Sequence, residues 1–357
     1  IDAEQIISIN FEEIDYEHLT TYRVLYDYIK TLILPDKMNY IFLDEIQHVE
    51  GFEKAVDSLF LKKNCDVYIT GSNACFLSGE LATLLSGRYV ELKMLPLSFK
   101  EFCSALDTGL SKTDSFNEYL KIGSFPYTLR FSKHEREAKE YLRDVYNTVL
   151  LKDIVKRLKI SDVASLESIT KFIFHNIGSI VSPTKIANTL KSSGKGADQK
   201  TVNKYINGLC DSLILYQASR YNIKGKEFLS TQSKYYCVDI ALRNMLVRGK
   251  DSDIGHILEN IVFLELKRRR YDVYVGQFDG TEVDFVAINP DGIMYFQVAA
   301  TALDENILKR ELTSLRKISD NYPKFLLTLD DVFGTADYEG IKKVNVIDWL
   351  LGIFPAK

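Results

Sequence analysis

Two adjacent acids at the end of an apolar run have the types and spacing best suited to chemistry in this chain. Asp44 and Glu45 follow residues 40–43, a run that predicts a buried parallel strand. Thr70 and Asn73 lie at the end of the next predicted strand. Because α/β sheets hold their ligands at the carboxyl ends of their strands, we expect these side chains at one edge. In phosphoryl transfer, the first acid would hold Mg²⁺ and the second would polarise the attacking water.

A phosphate-binding loop of the pattern G-x-x-x-x-G-K-S/T should precede such an acid pair. The pattern does not occur in the 357 residues. Gly194-Lys195 and Gly249-Lys250 lack both the upstream glycine and the following Ser or Thr. The chain begins at Ile1 without an initiator Met. We therefore expect a fragment whose phosphate loop lies upstream and which does not turn over ATP by itself.

Composition bounds the class of protein. A chain of 357 residues that is 46% hydrophobic and 26% charged predicts a globular protein of two or three domains. Its net charge of −4 argues against indiscriminate coating of nucleic acid but leaves room for a local basic face. No apolar run is long enough for a membrane span, and no signal peptide is visible. We expect no membrane partner, a cytoplasmic location, free thiols and no structural zinc.

The pattern of elements changes along the chain. Up to residue 94, strands alternate with helices, which predicts a parallel sheet. Its predicted strands are 6–11, 40–44, 66–70 and 88–94, and its predicted helices are 17–34, 51–62 and 78–85. Residues 99–163 read as mostly helical.

The remainder of the chain divides into two further patterns. Three helices (165–177, one opening after Ser182-Pro183, and 198–212) and two strands (213–220 and 234–238) describe a winged helix-turn-helix. Beyond it the predicted helices are 254–270 and 304–319, and the predicted strands are 272–276, 282–288, 293–298 and 324–329.

Six motifs in order resemble the AAA-fold ATPases of archaea and bacteria that carry a C-terminal domain of unknown function with a restriction-endonuclease-like fold. The motifs are Leu43-Asp44-Glu45-Ile46-Gln47, Ile69-Thr70-Gly71-Ser72-Asn73, Leu84-Leu85-Ser86-Gly87-Arg88-Tyr89, Pro96-Leu97-Ser98-Phe99, Tyr235-Tyr236-Cys237-Val238-Asp239 and Glu282-Val283-Asp284-Phe285. The resemblance implies an α/β protein with a truncated AAA-type P-loop core. The implied domains are this core over 1–98, a helical lid or linker over 99–163, a winged-helix-like domain over 164–236 and an inactive endonuclease-like domain over 237–357.

The resemblance also implies site residues and cofactors. Asp44 and Glu45 would be the Walker B acids, with Asp44 on the metal, and Thr70 would help to bind the cofactor. Asn73 would sense the γ-phosphate, and Arg88 would meet nucleotide from the same or a neighbouring subunit. ATP and Mg²⁺ are the implied cofactors. Simpler alternatives stay open: a helix cap for the acids, a turn residue for Asn73 and a surface ion pair for Arg88.

The endonuclease-like part departs from the pattern of active enzymes. Glu259 and Asp284 stand where a metal would be held, and Glu282 is a candidate substitute. Gln297 stands where a second acid is expected and Ala299 where a lysine is expected. Losing one such electrostatic group raises the barrier by about 3–4 kcal/mol. We therefore expect a domain that binds without cutting.

Lysines gather around the predicted winged helix. Contact with nucleic acid is predicted for Lys195, Lys200, Lys204, Lys224 and Lys226. The alternative is a protein-binding or interdomain use of the same fold with solvated lysines. The run Lys267 to Arg270 is more basic still, and its alternative is a solvated helix C-terminus.

The resulting hypothesis is an AAA-type ATPase that couples its nucleotide state to a winged helix and a degenerate nuclease-like domain. One alternative is a non-enzymatic regulator that binds double-stranded DNA or a protein partner. The other is a metal-dependent nuclease that uses Glu259, Asp284 and Glu282. The substrate of any ATPase work and the existence of a homo-oligomer stay open.

Overall fold

The computed structural model describes residues 1–71, 87–106, 109–192, 194, 197–247, 254–332 and 335–353, without the side chains of 150–153 and 230–231. The chain forms two compact units, residues 1–93 and residues 94–357. We call them the N-terminal unit and the C-terminal unit. No helix among the described residues is long and apolar enough to cross a bilayer.

A parallel sheet forms the centre of the N-terminal unit. Among the described residues it has three strands in the order β1-β2-β3. They are β1 (Ile6–Asn10), β2 (Asn39–Asp44) and β3 (Cys65–Ile69). Helices α1 (Tyr22–Leu32) and α2 (Phe52–Phe60) supply apolar side chains to the core over this sheet. The prediction of a parallel α/β sheet is therefore confirmed.

Strand β2 alternates between two environments. Ile41 and Leu43 are buried, whereas Phe42 is 39% exposed and stacks on Tyr68 of β3 with ring centroids 4.8 Å apart. The predicted strand is therefore parallel to both neighbours, and its apolar residues are buried at Ile41 and Leu43 but not at Phe42.

Two other predictions in this unit have different outcomes. The strand predicted over 88–94 was wrong, since residues 88–95 carry no regular structure. The predicted helix at 78–85 lies outside the described residues, and so does Asn73 of the predicted ATP site. In the C-terminal unit, Lys195 of the predicted nucleic-acid contact also lies outside them.

The first half of the C-terminal unit is helical. Its helices are α3 (Phe99–Leu106), α4 (Lys112–Ile122), α5 (Glu135–Asn147), α6 (Val163–His175), α7 (Pro183–Ser192) and α8 (Gln199–Asp211), with a π-helical segment at Thr148–Val155. Helix α8 is amphipathic because Val202, Tyr205, Ile206 and Leu209 recur at helical spacing and are buried.

A mixed sheet organises the rest of the C-terminal unit. Among the described residues it has nine strands in the order β11-β12-β10-β9-β8-β7-β5-β6-β4. The strands are β4 (Ile180–Val181), β5 (Leu215–Asn222), β6 (Glu227–Cys237), β7 (Asp272–Phe278), β8 (Thr281–Asn289), β9 (Gly292–Val298), β10 (Lys324–Thr328), β11 (Ala336–Tyr338) and β12 (Ile341–Asn345). The accompanying helices are α9 (Ile240–Leu246), α10 (Ile254–Arg268), α11 (Glu305–Arg316) and α12 (Val346–Leu351).

The hairpin of the predicted winged helix belongs to this same sheet. Strands β5 and β6 pair with each other, and the end of β5 at Arg220–Asn222 pairs in parallel with Val275–Gln277 of β7. The sheet therefore runs across the predicted boundary between residues 236 and 237.

Asp239 connects two segments that are distant in sequence. Its Oδ1 accepts the Leu242 N–H at 2.7 Å and so caps helix α9. Its Oδ2 accepts both the N–H and the hydroxyl of Ser124 at 2.6 Å. Gly123 has a φ of 87°, and a Cβ atom there would lie 2.8 Å from both Asp239 oxygens. This close approach explains the glycine in the Gly123-Ser124 turn.

Candidate functional site

The candidate site of the N-terminal unit begins where β2 and β3 end. The Thr70 hydroxyl donates to Asp44 Oδ1 and accepts the Glu45 N–H at 3.3 Å. The Thr70 carbonyl accepts the Ile46 N–H at 3.0 Å. Thr70 thus ties the acid pair of β2 to the end of β3. The structure brings together three of the predicted residues, Asp44, Glu45 and Thr70.

Glu45 has a different environment from Asp44. Its backbone is left-handed, with a φ of 55°, and its carboxylate accepts a hydrogen bond from the side-chain amide of Gln47. One carboxylate oxygen each from Glu12 and Glu45 and one ring nitrogen of His48 lie within 4.8 Å of one another. Gln47 and His48 lie close to Glu45 in sequence, but Glu12 could not be found from the sequence because it arrives through the pairing of β1 with β2.

Arg88 contacts a helix residue. Its guanidinium forms an ion pair with Asp57 of α2, and the two side chains are 47% and 39% exposed. Such an exposed pair stabilises a fold by about 1 kcal/mol or less. Both the surface ion pair and the nucleotide contact remain consistent with this position.

A second polar centre lies in the C-terminal unit, around a lysine that the sequence reasoning missed. Lys234 of β6 places its Nζ 2.7 Å from Glu259 Oε1, 2.7 Å from Glu282 Oε1 and 3.7 Å from Asp284 Oδ1. Tyr236 donates its hydroxyl to the same Glu259 oxygen at 2.6 Å. The only sequence signal is the spacing of Lys234 and Tyr236, which places both side chains on one face of a strand.

Gln297 and Ala299 stand where the pattern of active endonucleases predicts a second acid and a lysine. The Gln297 amide donates to Glu311 Oε2 at 2.9 Å, and its oxygen accepts from the Ser314 hydroxyl at 3.2 Å. Ala299 is 8% exposed and belongs to an apolar cluster that includes Val283. The Ala299 side chain offers no group that could stabilise charge on a phosphate.

Burial and crowding shape the ionisation of the three acids. Burial, together with the nearby Glu259 charge, raises the pKa of Asp284 to about 8, although the Lys234 ammonium opposes the shift. Burial also acts to raise the pKa of Glu259, but Lys234 and hydrogen bonds from His256 and Tyr236 outweigh it and leave that pKa lowered. The surroundings therefore favour the charged form of Glu259 and the neutral form of Asp284.

The predicted nucleic-acid lysines fall into two groups. Lys200 and Lys204 lie with Asn203 and Asn207 on the exposed face of α8, and Lys204 donates to the Leu158 carbonyl at 2.9 Å. Lys224 and Lys226 lie in the exposed turn between β5 and β6, where Lys224 pairs with Asp279 at 3.1 Å.

The basic run at the end of α10 is bonded within the C-terminal unit. Arg268 and Arg269 both pair with Glu265, at 3.0 and 2.8 Å. Arg268 also donates to the Pro96 carbonyl at 2.6 Å, and Arg269 lies over the Trp349 ring at 4.0 Å. The interpretation of these two arginines as a solvated helix terminus was wrong.

Known proteins resemble this chain in sequence. A family profile described as an AAA domain matches residues 1–103, and one for a domain of unknown function (DUF8612) matches residues 113–253. The N-terminal unit, with its parallel sheet and acid pair, accordingly has an AAA-like fold. A solved structure, the Walker-type ATPase of Pyrococcus abyssi, is 14% identical with a TM-score of 0.39, and the match covers 63% of this chain and 66% of that one.

Two relatives extend over almost the whole chain. An uncharacterized protein of Haemophilus influenzae is 40% identical over 355 residues, which cover 98% of this chain and 87% of that protein. The uncharacterized protein MJ1544 of Methanocaldococcus jannaschii is 28% identical over 366 residues, which cover 97% of this chain and 79% of that protein. The chain belongs to the same protein family as the Haemophilus influenzae protein.

Proposed function

We propose that the intact protein binds ATP with Mg²⁺ through its AAA-like part and hydrolyses it. The supporting observation is the acid pair at the carboxyl end of β2, which the Thr70 hydroxyl joins to β3. An AAA-like fold implies the use of nucleotide and Mg²⁺ in general, and parallel sheets bind their ligands at this edge. In the proposal Asp44 is the Walker B acid that holds Mg²⁺, and Glu45 polarises the attacking water.

The neighbouring residues receive supporting roles in this proposal. Thr70 helps to bind the cofactor by orienting Asp44, and the Gln47 amide orients the Glu45 carboxylate. Asn73 would sense the γ-phosphate. Arg88 would leave Asp57 to meet the nucleotide, a change that an exposed ion pair permits at little cost.

ATP turnover by the protein made from its complete coding sequence tests the proposal. We expect Glu45→Gln to lower turnover by about 10²–10⁴-fold, because the amide cannot act as a base. Mg²⁺-ATP binding should persist, since Asp44 remains. Glu50→Gln provides a control, because it removes the same charge at an exposed residue to which the proposal gives no role. Equal turnover by the protein and Glu45→Gln would contradict the proposed role of Glu45.

For the C-terminal unit we propose a lid or linker, a winged-helix-like part and an endonuclease-like part that respond to the nucleotide state without cutting DNA. The bonding of Gln297 to Glu311 and the apolar surroundings of Ala299 support the absence of cutting. The division at residues 99–163, 164–236 and 237–357 is part of this proposal, with one sheet shared between the last two parts.

A second candidate function is the binding of double-stranded DNA by the winged-helix-like part. The exposed face of α8 favours it, because Lys200, Asn203, Lys204 and Asn207 recur at helical spacing opposite the buried residues. Lysines can contact phosphates, and asparagine amides can read base edges. In this alternative the AAA-like part serves as a scaffold.

A further inference from the structure

The environment of Lys234 is unusual for a lysine. Its side chain is only 4% exposed, and its ammonium lies between the carboxylates of Glu259 on α10 and of Glu282 and Asp284 on β8. Three carboxylates around one point are the kind of oxygen donor set that holds a divalent cation. Here one tethered ammonium contacts all three.

We propose that the Lys234 ammonium is the resident cation of this carboxylate cluster and that it keeps divalent metal ions out. Two of its contacts, at 2.7 Å, have the short distances of charge-assisted hydrogen bonds. Because strand β6 carries the ammonium, it occupies the cluster without the loss of translational freedom that a dissolved ion suffers on binding.

The charges of the cluster support this inference. One ammonium faces three acids, and its distances to their oxygens are 2.7, 2.7 and 3.7 Å. The remaining oxygen of Asp284 accepts the Val298 N–H at 2.8 Å. On the other side, His256 Nδ1 lies 3.6 Å from Glu259 Oε2. The ammonium thus supplies positive charge at the point where the three carboxylates converge.

Burial does not by itself keep ions out of the cluster. The Glu282 side chain is 40% exposed and that of His256 is 46% exposed, so solvent reaches the edge of the cluster. Exclusion therefore depends on the ammonium group that occupies the centre of the cluster. The inference does not depend on ATP hydrolysis, because none of these residues belongs to the N-terminal unit.

The test counts Mn²⁺ ions bound by the full chain at pH 7.5, using the electron paramagnetic resonance signal of free Mn²⁺. We expect the unaltered chain and Asp284→Asn to bind the same number of Mn²⁺ ions, because the cluster of the unaltered chain holds none. Lys234→Met should bind one additional Mn²⁺ ion at the cluster. Its affinity for Mn²⁺ there should be at least about tenfold higher than that of the unaltered chain, because losing the ammonium exposes the full charge of the acids. Adding Asp284→Asn to Lys234→Met should abolish the gain. Lys234→Arg keeps the charge and should gain nothing.

A second variant guards against loss of folding. Lys234→Met combined with Glu259→Gln removes one charge of each sign, so the formal charge of the cluster is unchanged. It should also gain a site, with Glu282, Asp284 and the new amide oxygen as ligands. If Lys234→Met unfolds, added Mn²⁺ should restore its circular dichroism.

Three results would overturn the proposal. The first is an Asp284-dependent Mn²⁺ site in the unaltered chain. The second is the absence of a new site in folded Lys234→Met and in the folded double variant. The third is unfolding of both variants that Mn²⁺ does not relieve.

Discussion

Arg88 lies between two roles that single substitutions can separate. If Arg88 serves only the ion pair with Asp57, Arg88→Ala and Asp57→Asn should have the same small effect on stability and none on turnover. If it meets the nucleotide, we expect Arg88→Ala to lower ATP turnover by about tenfold or more, whereas Asp57→Asn leaves it unchanged or raises it. Steady-state turnover of both variants of the complete protein distinguishes the roles.

The Asp330–Lys343 pair controls a pH dependence of stability. Asp330 accepts from Lys343 Nζ at 2.7 Å and from the Thr301 hydroxyl at 2.6 Å, with both charged side chains buried. Burial acts to raise the pKa of Asp330, but these hydrogen bonds and the nearby ammonium outweigh it and leave the pKa lowered. Because the pKa of Asp330 is lower in the folded state, its ionised form stabilises the fold above the ordinary pKa of an aspartate, about 3.9. This stabilisation is lost as the pH falls through the pKa of the folded state.

Asp330→Asn tests this dependence. Because it leaves the Lys343 charge buried without its partner, we expect a loss of about 3–5 kcal/mol in the free energy of unfolding at pH 7. The difference between the unaltered chain and the variant should narrow only below about pH 4. Urea unfolding between pH 7 and pH 3 provides the measurement. A difference that stays constant down to pH 3 would be inconsistent with the lowered pKa.

Among the elements, helix α9 depends on a cap that also fixes a distant turn. Asp239→Ala removes the cap and leaves the buried Ser124 N–H and hydroxyl without their acceptor. We expect a loss of about 2–4 kcal/mol in the free energy of unfolding, from about 1 kcal/mol for the cap and the remainder for the unsatisfied donors.

The matched control is Ser111→Ala, which removes the exposed cap of α4. It should lose only about 1 kcal/mol, because water can satisfy the freed N–H groups. Equal losses from the two substitutions in urea unfolding would show that the Ser124 contacts add nothing.

The whole molecule carries a net charge of −4, so DNA binding would have to rely on a local surface. If α8 contacts phosphates through Lys200 and Lys204, replacing both by alanine should reduce the slope of log K against log salt concentration by about 1.8. Fluorescence anisotropy of a labelled duplex measures this slope. The control replaces the exposed lysines Lys309 and Lys342 and should leave it unchanged. Equal slopes for both variants would show that this face of α8 does not contact DNA phosphates.

Local pattern was enough to predict many elements. The apolar run before Asp44 became β2, and the helical spacing of Val202, Ile206 and Leu209 became the buried face of α8. Pattern failed over residues 88–94, where alternating apolar residues do not pair with a neighbouring strand among the described residues. Pairing partners decide whether an extended segment becomes a strand, and no local pattern contains them.

The sequence by itself determined that two carboxylates end a strand of a parallel sheet, since strand periodicity and chain order are local properties. The tertiary structure decided what surrounds each charge. It brought Thr70 to Asp44, Arg268 to the Pro96 carbonyl and Arg269 to the Trp349 ring, and it placed Lys234 among three acids. These contacts join residues that are distant in sequence, so they depend on sheet order and helix packing. Sheet order and packing set the burial and the ion pairing of each group, and these two factors decide its ionisation.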